Sequence, residues 1–369
     1  MTLEITPRRC LRELMPYQPG KSIASVQREL GLKNVIKLAS NENPLGASPK
    51  AMAVYRKAEK SCSVYPEGAS PELRRALGDF HKVDADCVVA GNGSDELIRL
   101  LCEAFLDPED EVIVSQYAFI RFRQQSAMMG ARIIEVPMMD WTHDLRTMAR
   151  AVSPRTKLIF VASPNNPTGT YNTEEEVREL LAAAPPSALV VLDEAYFQFA
   201  CGWDDYHRSV PDLTREHPNL VVLRTFSKAY GLAGLRVGYA IADPEVVGWI
   251  DRIRMPFNVS LPAQRACIAA LDDVAFLKRS TLTAAAGRES LAGSLRALGF
   301  SVLDSATNFL FVRTQIPGRR LFNSLLKRGI IIRPLDEYGL PDHVRISVGT
   351  PAQNKLLLAA LKQSLEVLV

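Results

Sequence analysis

The sequence of 369 residues lacks several features that assign a protein to a class at first sight. Its 44 basic and 41 acidic side chains leave a net charge of only +3, so no basic excess indicates a nucleic acid or membrane partner. No apolar run approaches the roughly 18 residues of a membrane helix, and the N-terminal segment has no continuous apolar stretch like that of a signal peptide. Repeats are absent as well, which excludes solenoids and propellers.

Paired cysteines are also missing. The six cysteines are scattered without a CxxC motif. We therefore expect no disulfide framework and no metal site, and instead the reduced thiols of a cytoplasmic protein. What the sequence does have is 47% hydrophobic residues, enough for a large core and too many for a disordered chain.

Short apolar runs alternate with helix-length amphipathic segments between residues 87 and 254. The runs predict strands at Cys87–Ala90, Glu111–Val114, Arg132–Val136, Lys157–Ala162, Ala188–Leu192, Leu220–Leu223 and Val237–Ile241. Consecutive apolar positions are typical of strands buried on both faces of a parallel sheet. Helices are predicted at Ser94–Leu106, Thr173–Ala183 and Pro244–Arg254, with Ser94 and Thr173 as N-caps. The pattern predicts a large, doubly wound α/β domain with a mostly parallel sheet.

The composition changes after about residue 255. Gln264–Leu298 has an almost wholly helical composition, and strands near Asn308–Val312, Ile330–Ile332 and Val344–Val348 precede a final helix at about Ala352–Leu368. We predict an N-terminal arm over residues 1–45, a large domain over 46–255, and a linking helix with a smaller α+β domain over 256–369.

Polar segments follow several of the predicted strands. Gly91–Glu96 (GNGSDE) opens a helix, where free amides favour an anion such as phosphate, although an ordinary strand–helix turn fits equally well. The SPNNPTG loop places Asn166 where ligands of open α/β sheets bind. An ordinary turn is the alternative there too.

Two further segments carry candidate charged groups. Asp193 ends a buried strand and requires a cation, either a protonated heterocyclic nitrogen or a structural salt bridge. Lys228 follows another strand, and a lysine withdrawn from water beside Arg236 can form an imine, although most lysines are solvated. Thr225, Ser227 and Arg236 can hold a phosphate beside it. Together these groups are the ones that a pyridoxal phosphate cofactor requires.

The order and wording of these segments resemble the fold type I pyridoxal-phosphate aminotransferases. The resemblance rests on KLASNENPLG, YPEG, GNGSDEL, SPNNPTGT, VVLDEAYFQF, RTFSKAYGLAGLRVGYA and VRISVGTP, and it runs from about Tyr17 to the C-terminus. Within the family, the wording is similar to that of members acting on histidinol phosphate. The resemblance therefore implies transamination of histidinol phosphate with 2-oxoglutarate, giving imidazole-acetol phosphate and glutamate in histidine biosynthesis.

The resemblance also implies roles for individual residues. Lys228 should form the imine and move the proton, Asp193 should pair with the pyridine nitrogen, and Asn166 and Tyr196 should bond the phenolic oxygen. The phosphate should be held by Ser94, Asp95, Thr225, Ser227 and Arg236, and by Tyr65 of a neighbouring subunit in a homodimer. Phe119 should stack on the ring. The expected substrate-binding residues are Tyr17, Asn43, Arg333 and Arg345.

Some positions depart from the family pattern, and other functions are compatible with the fold. Phe119 stands where tyrosine is common, and Arg121 and Arg123 stand where relatives usually have apolar or small residues. The alternatives are an aromatic amino acid aminotransferase, a decarboxylase of a phosphorylated amino acid, and a cofactor-binding regulatory module. The last usually carries a DNA-binding segment, for which we expect no room before Tyr17.

Overall fold

The computed structural model describes residues 5–12, 14 and 20–368. Its strands are β1 (Ile36–Lys37), β2 (Val88–Gly91), β3 (Glu111–Ser115), β4 (Arg132–Val136), β5 (Met138–Met139), β6 (Thr142–His143), β7 (Thr156–Ala162), β8 (Leu189–Asp193), β9 (Leu220–Thr225), β10 (Gly238–Ile241), β11 (Ser301–Val302), β12 (Phe309–Arg313), β13 (Ile330–Ile331), β14 (Arg333–Leu335) and β15 (Leu340–Ser347).

The helices surround these strands. They are α1 (Ile23–Leu30), α2 (Pro49–Lys57), α3 (Pro71–His81), α4 (Ser94–Phe105), α5 (Ile120–Met129), α6 (Leu145–Arg150), α7 (Glu174–Ala183), α8 (Phe197–Ala200), α9 (Thr214–Glu216), α10 (Pro244–Ile253), α11 (Leu261–Leu271), α12 (Val274–Ala297), α13 (Gly318–Lys327) and α14 (Pro351–Leu368). Among residues 5–12, 14 and 20–368, no helix has both the length and the apolar character needed to cross a bilayer.

A seven-stranded sheet in the order β2-β10-β9-β8-β7-β3-β4 forms the centre of the molecule. All of its strands are parallel except β10, which runs antiparallel to both β2 and β9. The seven strands predicted from the sequence are the seven of this sheet. Apolar residues of α4, α5 and α10 cover one face, and those of α6 and α7 contribute to the cover of the other. Because the strands are parallel, the loops after β2, β3, β7, β8 and β9 meet at one edge.

The C-terminal part contains an antiparallel sheet in the order β11-β12-β15-β14. Its core also includes residues from the N-terminal arm, among them Val26, Leu38 and Ala39. In addition, β1 pairs in parallel with β13. The described part of the arm therefore packs on the C-terminal sheet, which brings residues 39–41 to the carboxyl edge of the large sheet.

One local prediction needs correction. Gly93, with φ +79°, is the N-cap of α4, and Ser94 is the first helical residue instead of the cap. The helical composition predicted over Gln264–Leu298 is confirmed and forms two helices, since Asp273 caps a new start for α12. The helix α11 packs with the core of the large sheet. The capping box of Thr173 and Glu176 is confirmed, and the domain boundaries stay a prediction.

A buried ion pair joins Glu194, the residue after β8, to Arg224 on β9. Glu194 and Arg224 are almost fully buried, and Nη2 of Arg224 is 2.7 Å from Oε2 of Glu194. His207 and Ser209 also contact the carboxylate, and the guanidinium lies 3.7 Å from the centroid of the Phe197 ring. Burial by itself raises the pKa of Glu194, but Arg224 and His207 overcome this effect and hold the pKa well below its usual range.

We expect Arg224→Met to lower the free energy of unfolding by about 3–5 kcal/mol, because Glu194 would remain buried without its cation. Urea unfolding measures this loss. Arg146→Met is the matched control, since Arg146 and Glu179 form an exposed pair at the same 2.7 Å. Removing that solvent-exposed pair should change the free energy of unfolding far less. Equal losses in the two variants would contradict the assignment.

Candidate active site

A cleft opens at the edge where the loops of the large sheet meet residues of the C-terminal sheet. Twelve of the residues selected from the sequence line it: Ser94, Asp95, Phe119, Asn166, Asp193, Tyr196, Thr225, Ser227, Lys228, Arg236, Arg333 and Arg345. They come from five strand ends, the turn before β10, and the strands β14 and β15. Residues far apart in sequence thus form one polar site.

One end of the cleft is built to hold an anion. The N-terminus of α4 points its free amides here, and the guanidinium of Arg236 lies against Gly93. A Cβ on Gly93 would come within 2.5 Å of Nη2 of Arg236, so only glycine permits this approach. Ser227 faces the same guanidinium, with its Oγ 3.5 Å from Nη1. Amides, a hydroxyl and a guanidinium around a helix N-terminus suit a phosphate.

Lys228 lies in the middle of the cleft. Its amine donates a 3.3 Å hydrogen bond to the carbonyl of Ser40 and lies 5.7 Å from the centroid of the Tyr196 ring. Burial, together with the positive charges of Arg345 and Arg236, lowers the pKa of Lys228 to about 8. A larger fraction of this lysine is therefore neutral near pH 7 than of a solvated one, and a neutral amine is the nucleophilic form.

Asp193, at the end of β8, is buried on the cleft side. Its Oδ1 accepts a 3.0 Å hydrogen bond from the amide of Ala195. Burial raises the pKa of Asp193 to about 7, because that one bond does not compensate for the lost hydration. A cationic ring nitrogen beside the carboxylate would provide the missing partner.

Asn166 and Tyr196 are oriented by neighbouring side chains. Arg345 donates through Nη1 to Oδ1 of Asn166 and through Nη2 to the carbonyl of Ala39, at 2.6 Å for the second bond. The hydroxyl of Tyr196 accepts a 2.8 Å hydrogen bond from Nδ2 of Asn41. Both polar groups are thus fixed at the wall of the cleft, where they can contact a ring oxygen.

Two arginines face each other across strands at the other end of the cleft. Arg333 on β14 is directly opposite Arg345 on β15. Like charges in this position destabilise a sheet. The Glu337 carboxylate pairs with Arg333, whereas the two bonds of Arg345 go to neutral oxygens. Among the residues that the structure describes, the buried Nε of Arg345 has no hydrogen-bond partner. Arg345 therefore retains a positive charge that a bound anion can neutralise.

Three residues predicted from the resemblance are not seen in the cleft. Tyr65 is 82% exposed and stacks on Phe257, with ring centroids 4.7 Å apart. Asn43 is not among the residues that line the cleft: its amide donates to the carbonyl of Ala229 and to Oγ of Ser280, and its place at the substrate entrance stays a prediction. These bonds anchor the arm to the residue after Lys228 and to helix α12. Tyr17 lies outside the described residues.

Other lining residues were missed by the sequence analysis. They include Ser40 and Asn41 from the arm, and Glu337 and Tyr338 from the turn after β14. Asn41 is within the quoted NENPLG motif, and its left-handed backbone (φ +55°) is compatible with asparagine. No spacing rule indicates Glu337 or Tyr338, since they enter the cleft only through the packing of the C-terminal sheet.

Comparisons with known proteins agree with this geometry. The family described as "Aminotransferase class I and II" matches residues 33–361. The "Histidinol-phosphate aminotransferase 2" of Carboxydothermus hydrogenoformans is 44% identical over 98% of this chain and 99% of its own length. The histidinol-phosphate aminotransferase of Symbiobacterium thermophilum is 43% identical over 97% and 98%.

Solved structures show the same fold. A histidinol-phosphate aminotransferase from Sinorhizobium meliloti, solved in complex with pyridoxal-5'-phosphate, has a TM-score of 0.89 at 30% identity, covering 100% of this chain and 99% of that one. An aspartate aminotransferase of Thermus thermophilus has a TM-score of 0.84 at 23% identity, covering 99% and 100%, which bears on the fold alone. The predicted fold type I architecture is confirmed. The family model matches most of this chain, and the chain covers nearly the whole length of its curated relatives. The chain therefore belongs to the class I and II aminotransferases.

Proposed function

We propose that this aminotransferase exchanges the amino group between histidinol phosphate and 2-oxoglutarate, as in histidine biosynthesis. The observation that carries the proposal is the pair of facing arginines, Arg333 and Arg345, at the end of the cleft away from the phosphate corner. The names of the similar proteins support the same substrate.

The cofactor is pyridoxal 5'-phosphate, and the described residues fit it. When bound, this group supplies the electron-withdrawing ring that allows a proton to leave the substrate carbon. Ser94, Ser227 and Arg236 would hold the phosphate with Thr225 and the backbone of Asp95. Phe119 would stack on the ring, while Asn166 and Tyr196 would contact the phenolic oxygen.

Lys228 and Asp193 would perform the central proton chemistry. Asp193 keeps a buried negative charge once a cationic ring nitrogen lies beside it, because the added cation lowers the pKa that burial has raised. Lys228 provides the amine that holds the cofactor and afterwards accepts and returns the proton. Its pKa of about 8 is close to physiological pH, which suits a group with both tasks.

The substrate end of the cleft must accept two different anions. Histidinol phosphate carries a phosphate and no carboxylate, whereas glutamate carries two carboxylates. A guanidinium presents a planar fork to both groups, and Nε of Arg345 is buried with no hydrogen-bond partner in the described part of the chain. Arg333 adds a second charge, which benefits a dianion more than a monoanion, and Glu337 moderates that charge.

The site would be completed by a second subunit in a homodimer. Tyr65 and its neighbours Val64, Met255 and Phe257 form an exposed apolar patch. Asn258, which follows Phe257 in the chain, donates a 3.1 Å hydrogen bond to the carbonyl of Ala90 on β2, the strand that leads into the phosphate corner.

A cytoplasmic location also belongs to the proposal, because all six cysteines are free thiols.

Reduction with borohydride should attach the cofactor covalently to Lys228. Peptide mapping by mass spectrometry locates the label. We expect Lys228→Ala to abolish turnover, and Lys228→Arg to do the same, because arginine keeps the charge but stays protonated and cannot replace the amine. A label on another lysine would end the assignment.

Substitution of the arginines should separate the substrates. We expect Arg345→Lys to lower kcat/KM in both half-reactions, since lysine loses the planar fork. Arg333→Ala should cost about 1.5–3 kcal/mol more with histidinol phosphate than with phenylalanine, because a charge-assisted bond to the phosphate is lost.

Glu337→Gln serves as the matched comparison for Arg333→Ala. It removes the negative charge that pairs with Arg333 and should favour the phosphate substrate over phenylalanine. A wild-type enzyme that prefers phenylalanine, with no added penalty from Arg333→Ala on histidinol phosphate, would instead support an aromatic amino acid aminotransferase.

Mixed dimers test the role of Tyr65. We expect Tyr65→Phe to weaken activity and cofactor binding. Heterodimers of a Lys228→Ala subunit with a Tyr65→Phe subunit should contain one intact site and one doubly damaged site if Tyr65 serves the opposite subunit. Per heterodimer, activity should reach half that of the wild-type dimer. Activity at only half the Tyr65→Phe level would place Tyr65 in its own subunit's site.

A further inference from the structure

An ion pair lies directly beside the phosphate corner. Arg121, near the start of α5, contacts Asp95 at the start of α4 through two bonds: Nε to Oδ1 at 2.7 Å and Nη2 to Oδ2 at 3.2 Å. The Arg121 side chain is 21% exposed and that of Asp95 is 42% exposed. Nη1 of Arg121 also donates to Oε1 of Gln124, which fixes the guanidinium further.

The position of Asp95 creates an electrostatic problem. Asp95 lines the same cleft as Ser94, Ser227 and Arg236, the groups suited to a phosphate. The carboxylate also raises the pKa of Asp193, so its field extends to the centre of the site. A free carboxylate here would repel a phosphate dianion and oppose the positive charge of Arg236.

We propose that Arg121 is a positioning residue for phosphate binding: it holds and neutralises the Asp95 carboxylate so that a dianion can bind at the N-terminus of α4. The proposal deepens the proposed function and rests on pyridoxal phosphate as the cofactor. Arg121 does not line the cleft itself. It acts through Asp95, by geometry as well as by charge, since the bidentate contact fixes the carboxylate at one side of the corner.

The same helix supplies a matched control. Arg123 also lies on α5 and pairs with a carboxylate, Glu135 on the edge strand β4, away from the cleft. Arg121→Gln and Arg123→Gln therefore remove the same charge from one helix and break one ion pair each. They differ in which carboxylate loses its partner, and Arg121→Gln also removes the bond to Gln124.

The experiment measures ligand binding to the protein freed of cofactor. Three probes are titrated at low ionic strength: pyridoxal phosphate, pyridoxal without the phosphate, and inorganic phosphate. We expect Arg121→Gln to weaken pyridoxal phosphate and inorganic phosphate by about tenfold or more and to leave pyridoxal nearly unchanged. Arg123→Gln should change none of the three. The loss of phosphate affinity in Arg121→Gln should be smaller at high salt, because salt screens the repulsion between the partly exposed Asp95 carboxylate and the anion.

A double variant separates charge from structure. In Asp95→Asn/Arg121→Gln the repelling carboxylate is gone, so most of the phosphate affinity should return. Thermal unfolding of the cofactor-free variants checks the fold. If Arg121→Gln is unstable, Arg121→Lys replaces it. Because lysine keeps the positive charge, we expect a smaller loss of phosphate affinity in that variant.

Three results would overturn the proposal: an equal loss of affinity for pyridoxal and pyridoxal phosphate, no recovery in the double variant, or unchanged binding in Arg121→Gln. A failure of the proposed function looks different, because the wild-type protein would then not bind pyridoxal phosphate at all.

Discussion

Two adjacent carboxylates at the end of β8 control the site. Asp193, the last residue of β8, lines the cleft, whereas Glu194, the residue that follows the strand, is buried against Arg224. Glu194 is neutralised by Arg224 within the protein. Asp193 has no such partner within hydrogen-bond distance in the described chain, and its raised pKa reflects this. One carboxylate thus stabilises the fold, while the other is kept for a cationic ligand.

The order of the strands explains the order of groups along the cleft. The phosphate corner comes from β2, β10 and β9, which are neighbours in the sheet. Lys228 follows β9, Asp193 ends β8, and Asn166 follows β7, so each group lies one strand further along. A flat ring with a phosphate at one end and an oxygen at the other matches this sequence of groups. The antiparallel β10 places Arg236 at its start on the same edge.

The C-terminal sheet and the arm complete what the large sheet cannot supply. Arg345 reaches from β15 to Asn166 in the large sheet and to Ala39 in the arm, and so joins three parts of the chain at one guanidinium. Desolvation of the cleft by these parts contributes to the lowered pKa of Lys228. The substrate end is therefore created by packing between segments that are more than 300 residues apart.

The sequence alone determined the large sheet and most of the residues that line the cleft. Several of its strands are continuous apolar runs that polar motifs follow directly, so local pattern specifies both the strand and the edge where the polar residues after it lie. The resemblance added Arg333 and Arg345, which pattern alone does not distinguish from surface arginines. Only the tertiary structure decided that Asn43 anchors the arm, that Asn41, Glu337 and Tyr338 line the cleft, and that Arg121 holds Asp95. Each of these features depends on contacts between segments that are distant in sequence. The physical reason is that burial and charge pairing are set by the three-dimensional neighbours of a residue. Sequence periodicity reports only its neighbours along the chain.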